Sequence, residues 1–309
     1  MWTQVCSGPV MVFGLKRSKP GLRAADVVQA SPAAQTDSFI FTGKMTASGR
    51  PVPFVPKGDA LPVFFLHIPR TSGGTVLRYL EQYWGVDAVV ARAEAVLPLL
   101  LSRRAETRVT DVVAGHVPLV RWEFFTGSAA YRRVTVLRDP WARLVSQINW
   151  VGRFNDGEPF PEGPETASLK TMAAALGRTD FSSRASLERL VRLWAPVEGG
   201  FDNLQVRMVL TGSMASMVKL LTPRDVDRAV QNLESFAVVG FCEEQAGMQR
   251  RLGGLAGVKT APIVAFENAG KPSVLSVRNE MAREVLEPWY MLDAELYQRA
   301  KSIVARQPG

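Results

Sequence analysis

One stretch constrains the fold more than any other. Leu61–Ile68 (LPVFFLHI) is a short apolar run closed by Pro69, followed by the small-residue turn Pro69–Gly74 and then by Thr75–Trp84. An apolar run without alternation suits a strand buried on both faces. In the next segment Val76, Leu77, Leu80 and Trp84 recur at helical spacing, and Gly85 stops the pattern. Strand, glycine turn and helix in that order begin a βαβ unit, the building block of a parallel sheet.

The alternation continues along the chain. Asp87–Ala91 reads as a second strand, Ala93–Arg104 as a helix, Thr110–Gly115 as a third strand and Arg133–Arg138 as a fourth. Asp139 then caps a helix whose first position is Pro140, where a missing N–H is harmless. Helices are expected at about 165–177, 184–195, 201–212 and 223–235, the last opened by Thr222-Pro-Arg-Asp225. Phe236–Phe241 reads as another buried strand, Pro262–Phe266 as a short one, and helices close the chain from about Ser276. The fold class expected is therefore α/β: a P-loop NTPase-like parallel sheet flanked by helices, with a helix-rich C-terminal half. Residues 1–60 are rich in Gly, Pro, Ser and Ala without periodicity and read as a flexible N-terminal arm. Residues 61–309 read as a single domain.

Charge narrows the partners. The 309 residues carry 37 Lys+Arg against 29 Asp+Glu, and seven of the basic residues against three acidic ones fall in residues 1–60. No basic stripe or run of the kind a nucleic-acid interface needs is present, so nucleic acid is not expected as a partner. Cys6 and Cys242 are the only cysteines, far apart and without ligand spacing, which suits reduced thiols and gives no metal site. No apolar stretch is long enough for a transmembrane helix, and the N-terminus lacks signal-peptide character, so a cytoplasmic location is expected.

In parallel sheets ligands bind beyond the carboxyl ends of the strands. The first such turn is His67-Ile-Pro-Arg-Thr-Ser-Gly-Gly-Thr75. Its backbone N–H groups at a helix start, the charge of Arg70 and the hydroxyls of Thr71, Ser72 and Thr75 suit an anion, with Gly73 and Gly74 allowing close approach. It is not a Walker A loop, because Gly74 stands where that motif has Lys. The fourth strand ends in Leu137-Arg-Asp-Pro-Trp-Ala-Arg-Leu-Val-Ser146, where Arg138 and Ser146, two helical turns apart, can close on one phosphate. Arg143 shares a helix face with Ser146 by its spacing. His116, after the third strand, has the intrinsic pKa range of a general base. His67 reads as structural, and Glu123 is the reserve base.

The two turns together resemble the nucleotide-binding signatures of the PAPS-dependent sulfotransferases, above all the carbohydrate branch that includes heparan sulfate 2-O- and 6-O-sulfotransferases. The family's first turn reads H-I-P-K-T-[AG]-G-T-[ST], and its second reads R-D-P-x-x-R-[LA]-x-S. Their order and separation of roughly 65 residues are similar here. Asp202–Arg207 and the Asp293…Tyr297 end of the chain also look like family segments. Arg70 stands where the family has Lys, Ser72 where it has Ala or Gly, and Gly74 where it has Thr.

The resemblance implies that Arg70, Thr71, Ser72, Gly73, Gly74 and Thr75 cradle the 5′-phosphosulfate of PAPS, and that Arg138 and Ser146 hold its 3′-phosphate. Lys271 would add a basic loop nearby. It implies His116 as the base that takes the acceptor's proton, beside Arg70 as the second catalytic group. Arg70 cannot readily give up a proton, so its part is to stabilise charge on the leaving oxygen. The implied enzyme moves a sulfuryl group from PAPS to a hydroxyl of a carbohydrate-type acceptor, releases 3′,5′-ADP, and needs no metal. Asn155–Pro164 reads as a flexible loop that gates or reads that acceptor. Arg207 stays open between a ligand contact and a salt bridge. The rival readings are a P-loop kinase-like phosphotransferase using ATP and Mg²⁺, with Asp139 as the metal ligand, and a non-catalytic anion-binding protein.

Overall fold

The computed structural model describes residues 62–94, 112–125, 127–161, 166–194, 200–214, 219–257 and 274–307. The expected N-terminal arm, most of the expected helix 93–104, the expected strand 262–266 and Lys271 lie outside them. Five strands form one sheet: β1 (Val63–Leu66), β2 (Val89–Val90), β3 (Val112–Gly115), β4 (Arg132–Leu137) and β5 (Val238–Phe241). Every pairing is parallel, in the order β2-β3-β1-β4-β5. The register aligns Leu66 with Gly115 on one side and with Thr135 on the other, so the turns after β1, β3 and β4 open at the same edge.

The helices are α1 (Gly73–Trp84), α2 (Leu119–Glu123), α3 (Pro140–Gly152), α4 (Thr166–Gly177), α5 (Arg184–Trp194), α6 (Leu204–Leu210), α7 (Pro223–Glu234), α8 (Gln245–Leu255), α9 (Glu280–Val285) and α10 (Met291–Arg306). The period-two geometry of β1 divides its side chains between two cores. Val63 and Phe65 pack with Val76, Tyr79 and Leu80 of α1 and with Met248 and Leu252 of α8. Phe64 and Leu66 face the other way, onto Trp122 of α2, Val206 of α6, Leu233 of α7 and Leu296 of α10. The Phe64 and Trp122 rings stack with centroids 4.1 Å apart. This is why the β1 sequence is apolar at every position: neither face meets water.

A third core is purely helical. Trp141, Leu144 and Ile148 of α3 pack with Leu169 and Met172 of α4, Leu187 and Leu190 of α5, and Trp289. It anchors α3, the helix that follows β4. The segment from Asn155 is tied down up to Pro161, unlike the flexible loop expected there. Asn155 donates to the Ala173 carbonyl at 2.7 Å, and Phe160 stacks on Phe154 at 4.5 Å.

Two boundaries differ instructively from the sequence reading. Helix α1 begins at Gly73, not Thr75, so both glycines belong to its first turn. Strand β4 ends at Leu137, which leaves Arg138 free of the ladder and just beyond the sheet. Among the described residues no helix is long and apolar enough to cross a membrane.

Candidate anion-binding site

The chain runs from β1 outward to β2, returns to β3, then crosses β1 to reach β4. Such a reversal places a crevice at the carboxyl ends of β1 and β4. Leaving β1, His67 still donates its N–H to Gly115 at 3.0 Å, and the chain then bends sharply. Arg70 (φ 69°) and Ser72 (φ 65°) both adopt left-handed backbone conformations. For side chains with a Cβ this costs roughly 1–2 kcal/mol each, and strain of that kind collects at functional turns. Thr71 between them is buried and donates its hydroxyl to the Ile68 carbonyl at 2.9 Å, which locks the bend.

The two glycines play different parts. A Cβ on Gly73 would lie 1.8 Å from His67 Nε2, because the His67 imidazole rests on the start of α1. A Cβ on Gly74 would meet nothing within 4 Å, so that side of the helix start is open. Ser72 Oγ lies 2.7 Å from Cys242 Sγ just past β5, and burial pushes the Cys242 thiol up. Thr75 Oγ1 is buried without a hydrogen-bond partner.

The β4 turn meets the β1 turn at Arg70. Arg138 donates from its guanidinium to the Arg70 carbonyl at 3.1 Å, and Arg70 Nε donates to Ser146 Oγ at 3.1 Å. Arg138 is held in place by its backbone: the Gln205 side-chain amide accepts from Arg138 N–H at 2.9 Å and donates to its carbonyl at 3.0 Å. Asp139 caps α3, accepting from Ala142 N–H at 2.8 Å, as the Asp-Pro pair predicts. Its own N–H donates to Glu243, which also accepts from the Tyr297 hydroxyl at 3.0 Å.

Arg143, which the helix spacing places beside Ser146, is instead sealed in the interior. It is fully buried, donates to the Gly200 and Phe201 carbonyls at 3.1 and 3.2 Å, and lies 3.9 Å from Asp293. Burial draws the Arg143 guanidinium down to about 10 and pushes the Asp293 carboxyl up to about 6. Asp293 in turn accepts from the N–H groups of Gln205 and Val206 at 3.1 and 2.8 Å, which fixes the residue that grips Arg138.

His116 follows β3 on the other flank. Its Nδ1 lies 2.7 Å from the His67 carbonyl, and its N–H donates to Glu94 at 2.9 Å. With Nδ1–H donating to that carbonyl, Nε2 carries the lone pair a base needs. The His67 and His116 rings are 4.3 Å apart. Burial, then the charges of His116 and Arg70, lower His67 to about 3, so it stays neutral. Burial also lowers Arg70 from the ordinary arginine value, and the charges of Arg153 and Arg138 add to that.

Arg70, Arg138 and Ser146 therefore converge, with His116 adjoining through His67. The hydroxyls of Thr71 and Ser72 are engaged with Ile68 and Cys242, so these two residues present backbone rather than hydroxyl groups. Gln205 and Arg153 carry no motif signal and were missed by sequence reasoning; only their positions in the fold bring them here. Arg207 resolves as a strut, paired with Asp202 and donating to the Asp202 and Lys219 carbonyls at 2.9 and 2.7 Å. Glu123 is exposed and pairs with Arg133 at 2.9 Å. Among the described residues no cluster of three His, Cys, Asp or Glu side chains is arranged to hold a metal.

No protein-family model matches this chain, and no curated protein matches it either.

Proposed function

We propose that this chain is a PAPS-dependent sulfotransferase acting on a hydroxyl of a carbohydrate-type acceptor. The observation that carries the reading is the junction of two turns 68 residues apart, in which Arg70 is bonded to both Arg138 and Ser146. A nucleotide with phosphate at each end suits that junction. The guanidinium groups of Arg70 and Arg138 have no carboxylate paired to them among the described residues, and Thr75 Oγ1 is a buried polar atom lacking a partner. Groups in that condition are stabilised by an anion.

PAPS supplies an activated sulfuryl group, with 3′,5′-ADP as its leaving half. The chain's own residues then divide the work. The helix start at Gly73 and Gly74, with Arg70, binds the 5′ end through backbone N–H groups and fixed charge. Arg138, its backbone immobilised by Gln205, binds the 3′-phosphate together with Ser146. His116 Nε2 takes the acceptor's hydroxyl proton while Nδ1–H holds the ring against the His67 carbonyl. Arg70 keeps its proton and stabilises negative charge on the departing oxygen. The Asp139 carboxylate is engaged at the α3 cap, which weighs against its use as the Mg²⁺ ligand of a kinase. The reducing environment implied by an unpaired Cys242 suits the cytoplasm.

Calorimetry decides between the readings. Titration with 3′,5′-ADP should release binding heat that is unchanged by Mg²⁺, with much weaker binding of ATP. A preference for ATP that appears only with Mg²⁺ overturns the assignment in favour of phosphoryl transfer.

A further inference from the structure

The residue after α3, Arg153, has a side chain that the proposed chemistry leaves without a task. It opens the short turn Arg153–Asp156, continuing the helix with right-handed backbone angles. It therefore follows Ser146 by seven residues, two helical turns, on the same face of the helix and about 10 Å further along its axis. Ser146 is the hydroxyl that accepts from Arg70. Arg153 Nε is buried and has no hydrogen-bond partner, and no carboxylate among the described residues pairs with the group. Its charge reaches Arg70 strongly enough to rank ahead of that of Arg138 among the charges that lower it.

Three guanidinium groups gathered around one serine, without a counter-charge, are unfavourable in the empty protein. A buried donor without an acceptor adds to the cost. A fold tolerates such an arrangement where a ligand relieves it. Arg138 alone balances one negative charge, whereas a terminal phosphate monoester carries about −1.5 to −2 near neutral pH. A phosphate diester or a sulfate ester carries only one.

We propose that Arg153 is a third binding residue of this site, which acts with Arg138 and Ser146 to select a nucleotide ending in a dianionic phosphate monoester over the same nucleotide without it. The inference rests on the nucleotide reading above and adds to it a residue and a basis for discrimination.

The test compares the wild-type protein with Arg153→Met and Arg153→Lys by calorimetry at fixed salt, against 3′,5′-ADP and 5′-AMP. Thermal melts of each unliganded protein accompany the titrations. Arg153→Met should weaken 3′,5′-ADP binding about tenfold or more while changing 5′-AMP binding less than about threefold, and Arg153→Lys should fall between. An equal loss for both nucleotides, or no loss for 3′,5′-ADP, overturns the role of Arg153 alone, because the wild type still discriminates. A wild type that binds 3′,5′-ADP no better than 5′-AMP overturns the nucleotide reading and this inference with it. Should the methionine variant melt below the assay temperature, the lysine and Arg153→Gln variants decide on the same criterion.

Discussion

Arg70 is the residue on which ligand binding and fold stability make opposite demands, and replacing it by methionine separates them. Methionine keeps the length of the stem and the same left-handed backbone, so the roughly 1–2 kcal/mol cost of positive φ is common to both proteins and cancels. Lost in the empty protein is one hydrogen bond, Nε to Ser146 at 3.1 Å, worth about 1.5–3 kcal/mol for a charged donor. Gained is relief from burying a guanidinium beside Arg138 and Arg153, the same causes that lower its pKa. These oppose each other, so the unliganded variant should melt within a few degrees of wild type, on the order of 1 kcal/mol either way. Binding has no such offset. Loss of a charge-assisted contact of about 1.5–3 kcal/mol should weaken 3′,5′-ADP roughly 10- to 150-fold. Arg70→Gly, which also releases the backbone strain, should bind as poorly yet melt no lower than the methionine variant. Differential scanning calorimetry and titration calorimetry on the same preparations read both quantities. A methionine variant that melts far below wild type but keeps its affinity would show Arg70 to be a structural pin, and the reasoning would be wrong.

Other substitutions probe the neighbouring parts. His116→Asn should retain 3′,5′-ADP affinity while sulfuryl transfer falls by about 10²–10⁴, the usual contribution of a positioned base, in a single-turnover assay with a hydroxyl acceptor. Gly73→Ala drives a methyl to 1.8 Å from His67 Nε2 and should destabilise the fold by about 1–3 kcal/mol in denaturant titrations. Gly74→Ala, with open space around its Cβ, should leave stability near wild type and instead weaken nucleotide binding by obstructing close approach of the backbone. His67 tests the electrostatics. Its folded value of about 3 lies below the model value of 6.5, so the stability it contributes is present above pH 6.5 and is lost as pH falls toward 3. Wild type should therefore lose stability between pH 6.5 and 5 more steeply than His67→Gln, by up to about 1.4 kcal/mol per pH unit, and parallel slopes would refute a neutral buried imidazole.

The strands and caps were legible because their causes are local. VFFL, VVAG and VVGF are apolar at every buried position or small where the chain is crowded, and a two-sided parallel sheet asks for that wherever it occurs. Asp139 and Thr222 cap their helices through contacts three residues away, so neighbouring letters suffice to predict them. The start of α1 was placed two residues late because glycine has a low intrinsic helix propensity, while packing of His67 on Gly73 holds that turn helical.

What adjacency in sequence left undecided was the division of labour among like residues. Arg138 and Arg143 sit five residues apart in one motif, yet one stands at the sheet edge and the other is enclosed with Asp293. Nothing in their local sequence separates them. The choice depends on α6 and α10, which bring Gln205 and Asp293 from far along the chain. The bond between Arg70 and Ser146 spans 76 residues, and Arg153 enters the site only because α3 lies along the β1 turn. Periodicity and capping are short-range properties that the sequence writes directly. The partner of a buried charge is set by which distant elements share a core, so only the tertiary structure could assign it.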